Sequence, residues 1–407
     1  MKRSAAIAAG LVVAPEVLDA AESNLPPYVP AWMKVLGDGV DTAPYGLPSG
    51  YENNVVRRNV SWLTATTQSS VSFTPIQDLD GIITPNGLCF VRDHGGTPQI
   101  DPAQHRLMIH GMVERPLLLR VDELMRFPSQ SRIHFLECPA NGGMERNGAQ
   151  MQGVQFTHGM IHCCEWTGVK LSVLMDEIGV SPRSTWMLAE GADAAAMTRS
   201  LPVAKGREDI MIAWSQNGER LRPEQGYPIR LIVPGWQGNM NVKWLRRLKF
   251  GDRPWETREE TSKYTDLMPN GKARQFDFVL ETKSVITKPC PENPIRSRGF
   301  YEISGFAWSG RGKIARVDVS FDGGANWQTA ALQEPVLDKC LTRFRIPWSW
   351  HGSTALLQSR AMDETGYVQP TLTQLRAVRG HNDIYNNNAI QTWRVSPNGT
   401  VDNVQVA

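Results

Sequence analysis

The sequence predicts an α+β domain of mixed strands and short helices, followed by an all-β sandwich. Two textures carry this prediction. From about Ser70 to Asp252, short apolar runs are broken by Gly and Pro, and LSVLMDEIGV shows one clear helical period, with Leu171, Leu174, Met175 and Ile178 at i, i+3, i+4 and i+7. Beyond Phe278 the period falls to two. In ARVDVSFDGGANW, Val317, Val319 and Phe321 alternate with Arg316, Asp318 and Ser320 before a DGG turn. A chain of 407 residues is long enough for two or three domains with sizeable cores.

The opening stretch MKRSAAIAAGLVVAP sets two basic residues before an apolar run that ends in small residues. That is the shape of a signal peptide or its remnant, assigned to residues 1–22, with a frayed N-terminal helix as the alternative. The run is too short to span a bilayer. Residues 23–75, with LPPYVPAW and APYGLPSGYENN, keep neither period and read as an extended arm. Within residues 76–253, strands are expected at HRLMIHG, SRIHFLEC, TWMLAE and PIRLIVPG. Helices are expected at LSVLMDEI, capped by Gly179, and at VDELMRFP, stopped by Pro128. Residues 254–279 are charged and polar and read as a linker. FYEISGFAWSG and ALLQSRAMDETG repeat a strand-then-turn style over residues 280–380, as a β-sandwich does. The Asn-rich residues 381–407 read as a docking tail.

Lys plus Arg total 43 against 41 Asp plus Glu, so the net charge of +2 gives no electrostatic footprint for nucleic acid or an anionic membrane. The six cysteines form no CxxC and no CxxCH, which argues against a zinc ribbon, a thioredoxin-type site and a covalent haem on this chain. If the protein moves electrons, another chain must accept them. Cys163 and Cys164, adjacent on a strand, would point to opposite faces. Cys290 and Cys340 both lie in the β region and could pair in an oxidising compartment, which spacing alone does not establish.

Three stretches could carry chemistry. HFLECPANGGME ends an apolar run at Cys138 and follows it with Pro139 and the Gly142–Gly143 pair. A thiol held there suits a nucleophile, a soft metal ligand or an ordinary buried structural role, and the local sequence leaves all three open. FVRDH places Arg92 and His94 two residues apart, on one face if the segment is a strand. YPIRLIVPGWQGNMNVKWL carries Arg230 on a buried-looking strand, then a Pro-Gly turn, then Gly238, Asn239, Asn241 and Lys243. That set suits a phosphate-bearing cofactor, although a basic solvated edge would read the same way.

Together, the single Cys in a CxxN turn, the upstream FxRxH and the downstream YPxRxxxPGxxGxxxVKWL resemble the sulfite oxidase family of molybdopterin enzymes over roughly residues 70–380. The resemblance implies a sulfite-oxidase-like molybdopterin domain followed by an immunoglobulin-like dimerisation domain. It implies molybdenum with molybdopterin as cofactor and Cys138 as the one protein thiolate on the metal. Residue by residue it assigns cofactor contacts to Phe90, Arg92, His94, Asp193, Gln225, Arg230, Asn241, Val242 and Lys243, with Arg230 on the phosphate. It places Arg92 and Tyr264 beside Cys138 as catalytic residues, and Phe156 where the family has an aromatic pocket wall. Arg376 and Arg379 stand near a family arginine that reaches the pocket.

Two departures from the family pattern stand out. Gln225 replaces a pterin-contacting histidine, which an amide partly replaces as a hydrogen-bonding group. Gly142 and Gly143 replace arginines that follow the CxxN turn, so a small oxyanion loses a bidentate grip and the site gains space. Within the family this pattern implies oxidation of a cysteine persulfide held on a sulfur-carrier protein, in the periplasm, with electrons passing to a c-type cytochrome subunit. The implied assembly is a homodimer within a heterotetramer. The alternatives are a dehydrogenase acting on free sulfite, and a cofactor-free binding subunit of the same fold.

Overall fold

A computed structural model describes residues 29–37, 39, 45–60 and 63–406, so the expected signal peptide lies outside the described residues. The chain divides into two units, residues 1–54 and 55–407. The described part of the first holds two short 3-10 turns, Ala31–Lys34 and Gly50–Glu52, and no strand. Pro and Gly punctuate it too often for a longer element to form.

After a small three-stranded sheet of Arg58–Asn59, Val71–Phe73 and Val91–Arg92, the second unit builds two five-stranded sheets. In one, strands Glu219–Arg220, Met211–Gln216, Ile161–Lys170 and Ser129–Glu137 lie side by side, and Arg230–Ile232 also pairs with Met211–Gln216. In the other the order is Leu117–Arg120, Arg106–Gly111, Leu245–Gly251, Trp186–Gly191 and Thr198–Pro202, with one parallel pair, Arg106–Gly111 beside Leu245–Gly251. Apolar residues of both sheets, among them Ile109, Ile212, Leu231 and Leu248, share one core. The helix Leu171–Ile178 adds its four expected residues to that core and ends where Gly179 takes φ +62°. The expected helix at VDELMRFP is a single turn, Val121–Leu124.

Two further sheets form a sandwich. Lys283–Lys288, Gly299–Trp308, Thr342–Trp350 and Ala331–Leu332 make one layer. Gln328–Thr329, Ile314–Ser320, Ala355–Asp363, Thr392–Val395 and Val401–Val404 make the other. Val317 and Val319 point inward as the alternation requires. The last two strands lie in the stretch read as a tail: Trp393, Val395 and Val401 are buried and pair the segment onto Ala355–Asp363. The run of asparagines before them hides this short apolar pattern. The linker likewise carries structure, a capped turn at Arg258–Thr261 and the strand pair Asp266–Leu267 with Ala273–Arg274.

All six cysteines are free, so Cys290 and Cys340 do not pair; the Cys340 thiol instead lies 2.6 Å from the Ile133 carbonyl. Cys163 and Cys164 face opposite ways, Cys163 into the core it shares with the sandwich and Cys164 toward Cys89. Phe135 and Ile161 of the first sheet and Val154 of the short helix Val154–His158 enter the sandwich core as well, so the two domains share one apolar interior. A polar bolt crosses the same seam. Glu137, 1% exposed, accepts from Lys283 Nζ at 2.7 Å, Trp308 Nε1 at 2.7 Å and Asn141 Nδ2 at 2.9 Å.

Removing one partner of such a buried pair leaves an uncompensated charge. Lys283→Met is expected to destabilise the chain by about 3–5 kcal/mol, and Glu137→Gln with Lys283→Met to recover most of that loss. Denaturant midpoints of the two variants test it; equal midpoints would mean that the pair itself matters little.

Candidate active site

The strand Ser129–Glu137 delivers Cys138 to the end of a sheet, and the following residues fold back as a closed turn. The Cys138 N–H donates to Met160 O at 3.0 Å, and its carbonyl accepts from the Asn141 N–H at 2.9 Å. The Asn141 amide donates to Glu137 and to His158 O and accepts from the Met160 N–H at 3.1 Å, so this asparagine holds the turn's shape. From the other side comes the 3-10 turn Gly238–Met240. A Cβ on Gly238 would stand 2.7 Å from Glu137 O, so only glycine lets the two segments meet. The thiol is half-buried. Burial pushes its pKa up, opposed by a backbone hydrogen bond at Ala140 and by the Arg92 charge.

The thiol faces a cleft lined by the eleven residues to which the resemblance assigned cofactor contact or catalysis: Phe90, Arg92, His94, Cys138, Asp193, Gln225, Arg230, Asn241, Val242, Lys243 and Tyr264. Arg230 is buried over the Trp166 ring, 5.0 Å from its centroid. It donates to Gln225 O at 2.9 Å and Asn241 O at 3.0 Å, both backbone carbonyls. Its Nε has no partner, and among the described residues no carboxylate pairs with it. Burial lowers its pKa to about 10. Lys243 is ion-paired with Asp93 and donates to Glu224 O at 2.9 Å, and burial pulls its pKa down despite Asp93. A buried guanidinium with an orphaned donor and no counter-ion fits an anionic group entering the cleft.

Nearer the thiol, Tyr264 Oη lies 3.3 Å from His94 Nε2. Tyr264 sits at φ +53°, uncommon for a side chain this large, and its ring meets Tyr385 at 5.2 Å. Burial, then the nearby Cys138 charge, raises the phenol pKa, so the hydroxyl keeps its proton. Burial, reinforced by Arg92, Arg258 and Lys243, lowers His94 to about 4.

A second opening of about 1090 Å³ shares Arg92, His94, Cys138 and Tyr264 with the cleft and adds Ala140, Arg258, Lys263 and Tyr385. The thiol therefore stands between an inner pocket and an outer mouth. The expected gain of space at Gly142 and Gly143 does not occur there. A Cβ on Gly143 would meet Ile384 O at 2.6 Å, the Asn387 amide donates to Gly142 O at 2.6 Å, and Asn386 N–H donates to Pro139 O at 2.7 Å. Residues 384–387 thus fill the volume that arginine side chains would need. Arg376 and Arg379 do not line the cleft: Arg376 donates to Arg146 O, and Arg379 pairs with Glu281 at 2.9 Å. Phe156 packs edge-on against Phe73, outside the lining.

Sequence reasoning missed Asp93, His162 and Trp244, which also line the cleft, and Tyr385 at its mouth. Alternation along FVRDH would set Asp93 opposite Arg92 and His94, but the strand ends at Arg92 and all three residues line the cleft; the place of Asp93 beside Lys243 is a tertiary fact. His162 stands two residues before Cys164 on one strand, a signal that attention to the paired cysteines obscured.

The family model described as an oxidoreductase molybdopterin binding domain matches residues 94–259, and that of a Mo-co oxidoreductase dimerisation domain matches residues 274–393. The chain is 32% identical to a mitochondrial sulfite oxidase of Rattus norvegicus, over 62% of this chain and 50% of that protein. It is 29% identical to an NADH nitrate reductase of Ulva prolifera, over 75% of this chain and 40% of that protein. The chain spans about half the length of the curated relatives it matches. Among solved structures it is similar to the sulfane dehydrogenase SoxCD from Paracoccus pantotrophus, at 54% identity over 93% of this chain and 98% of that one, with a TM-score of 0.92.

The depressed His94 pKa ties stability to pH. An unfolded histidine titrates near 6.5 and this one near 4, so the unfolded state binds more protons between those values. Stability from neutral His94 is then full above about 6.5 and falls as the pH drops toward 4. His94→Gln is expected to flatten that fall relative to the parent chain at equal cofactor content. Superimposable pH–stability curves would exclude the assignment.

Proposed function

The chain belongs to the sulfite oxidase family of molybdopterin oxidoreductases, and from that premise we propose that it oxidises a sulfane sulfur, a cysteine persulfide presented on a carrier protein. In this reading Arg230, with Lys243 and the Asn239–Asn241 turn, holds the cofactor phosphate. Phe90, Asp193, Gln225 and Val242 line the pterin, and Cys138 ligates molybdenum. The bound group supplies two-electron oxygen-atom-transfer chemistry. The orphaned Arg230 donor and the absence of a carboxylate on it support this cofactor assignment.

The chain's own residues then select and orient the substrate. Arg92 is common to the inner cleft and the outer mouth, so it can hold an anionic sulfur near the thiol. Tyr264 keeps its proton and His94 is neutral at pH 7, so the pair offers a donor at that point without further positive charge. The observation that carries the substrate assignment lies beside them. Where the family pattern has an arginine after the thiol turn, Gly143 is closed over by the Ile384 carbonyl, and the mouth beyond is walled by Ala140, Ala194, Ala195 and Tyr385 on one part and by Arg258, Glu259 and Lys263 on another. A sulfur on a flexible peptide can reach the thiol through this mixed polar and apolar mouth, whereas free sulfite finds no guanidinium at Gly143 beside the thiol to grip it.

Electrons leave to a c-type cytochrome subunit, and the second domain, an immunoglobulin-like sandwich, joins two copies into a homodimer within a heterotetramer located in the periplasm. No helix among the described residues is long and apolar enough to cross a membrane. The dimerisation-domain match over residues 274–393 supports the dimer.

Two outcomes test the reading. Molybdenum-loaded protein is expected to reduce its cytochrome rapidly with a persulfide-bearing carrier and slowly with free sulfite at matched concentration; the reverse order would assign free sulfite as substrate. Cys138→Ser is expected to fold normally and abolish both reactions. Arg230→Met is expected to lower cofactor affinity at least about tenfold, as loss of a charge-assisted hydrogen bond does, and elemental analysis of the purified variant reads that as lost molybdenum.

A further inference from the structure

At the wall of the cleft that His162 lines, and behind it, lies a group of side chains to which the proposed chemistry gives no role. Cys89 follows the short turn Asn86–Leu88, and His162 and Cys164 share one face of the strand Ile161–Lys170. The Cys89 and Cys164 sulfurs are 3.4 Å apart, and a His162 ring nitrogen lies within 4.8 Å of both. All three residues are at most 2% exposed. Neither ring nitrogen of His162 has a hydrogen-bond partner, an uncommon condition for a fully buried imidazole. Gln216 completes the group. Its Nε2 stands 3.2 Å from Cys89 Sγ and 3.1 Å from Cys164 Sγ, while its Oε1 is buried without a partner.

We infer that these residues form a Zn²⁺ site of two thiolates, one imidazole and one amide oxygen. Rotating the Gln216 amide by half a turn exchanges its nitrogen and oxygen and turns Oε1 toward the two sulfurs, with Nε2 taking the buried position that Oε1 held. Oε1 then joins the two sulfurs and a His162 ring nitrogen, three atoms that lie within 4.8 Å of one another. Tetrahedral zinc, with Zn–S near 2.3 Å, sets two sulfurs about 3.8 Å apart, so the present separation opens by only a few tenths of an ångström. The donor set excludes Ca²⁺ and Mg²⁺, which take six or more oxygens. Binding releases two thiol protons and transfers no electrons, and the dianionic thiolate pair leaves the filled site neutral beside Arg230. A disulfide between Cys89 and Cys164 is the competing use of the short sulfur contact; it would leave His162, which lines the cleft, with only the occupant of the cleft as a partner. The ion would bind the segment carrying Phe90 to the strand bearing Trp166, and so fix the back wall of the cleft.

The test uses the full-length chain carrying Cys138→Ser, so that the cleft thiol cannot ligate, reduced, stripped with a chelator and titrated with zinc chloride. One equivalent is expected, with an X-ray absorption edge fitted by two sulfurs near 2.3 Å and one or two N/O donors. Cys164→Ala and His162→Phe in that background are expected to weaken binding by more than about 100-fold, beyond what loss of an outer-shell partner costs. Should either variant fail to fold, the absorption spectrum of the Cys138→Ser chain still decides. Failure to take up zinc, a shell without sulfur, or a Cys89–Cys164 disulfide in peptides of the unreduced native protein would overturn the proposal. None of these readouts depends on turnover, so they stand apart from the substrate assignment.

Discussion

The buried carboxylate of Glu137 is the interaction on which the site's geometry depends. It occupies the residue before the thiol, and its oxygens are engaged by Lys283 and Trp308 from the sandwich and by Asn141 from the turn that follows. Lys283 also donates to Asn141 O at 3.0 Å, so one ammonium grips both ends of the Cys138 loop. A buried ion pair is weak evidence of net stability, because the cost of desolvation offsets much of the attraction. What it provides here is position: the loop has one low-energy place relative to the second domain, since any displacement leaves a charge unpaired in the interior.

That constraint explains why residues far apart in sequence meet at the thiol. With the loop fixed to the sandwich, the segment after the helix Leu372–Arg379 can lie against it, and Asn386 and Asn387 pair with the backbone of Pro139 and Gly142. Arg379 anchors the same segment, buried among Glu281, Asp277 and Asp383. Burial together with the facing Asp266 raises Asp383 to about 7, so this cluster carries less negative charge at neutral pH than its three carboxylates suggest. The arginines that sequence reasoning sent toward the pocket are therefore structural, and the residues they hold in place do the shaping.

The lining of the inner cleft was partly legible in the sequence. The residues of the three motifs HFLECPANGGME, FVRDH and YPIRLIVPGWQGNMNVKWL that were nominated meet at one cleft, and Asp193, Gln225 and Tyr264, assigned by resemblance, line it too, whereas Phe156, Arg376 and Arg379 do not. What escaped reading has a common physical cause. Asp93 finds Lys243 across 150 positions, the Ile384 carbonyl finds Gly143 across the domain seam, and Tyr385 reaches Tyr264 from a stretch read as a polar tail. None of these contacts has a local period. The strands were legible where they alternate, as at Val317 and Val319, and not at Thr392–Val395 and Val401–Val404, where each strand is four residues long and polar stretches precede and divide them.

The asymmetry between the two buried cations of the cleft completes the electrostatic argument. Lys243 has Asp93 as a counter-ion, whereas Arg230 has only carbonyls and an unused Nε. Had both been paired, an incoming anion would have to displace a carboxylate at each; had neither been, the folded chain would hold two uncompensated charges at once. One paired and one unpaired cation is a compromise: Asp93 holds Lys243 in place, and the backbone carbonyls of Gln225 and Asn241 orient Arg230 without neutralising it. The guanidinium plane is thereby fixed while its charge stays available. That is the preorganisation a phosphate requires, and it follows from carbonyls accepting hydrogen bonds without carrying a full negative charge.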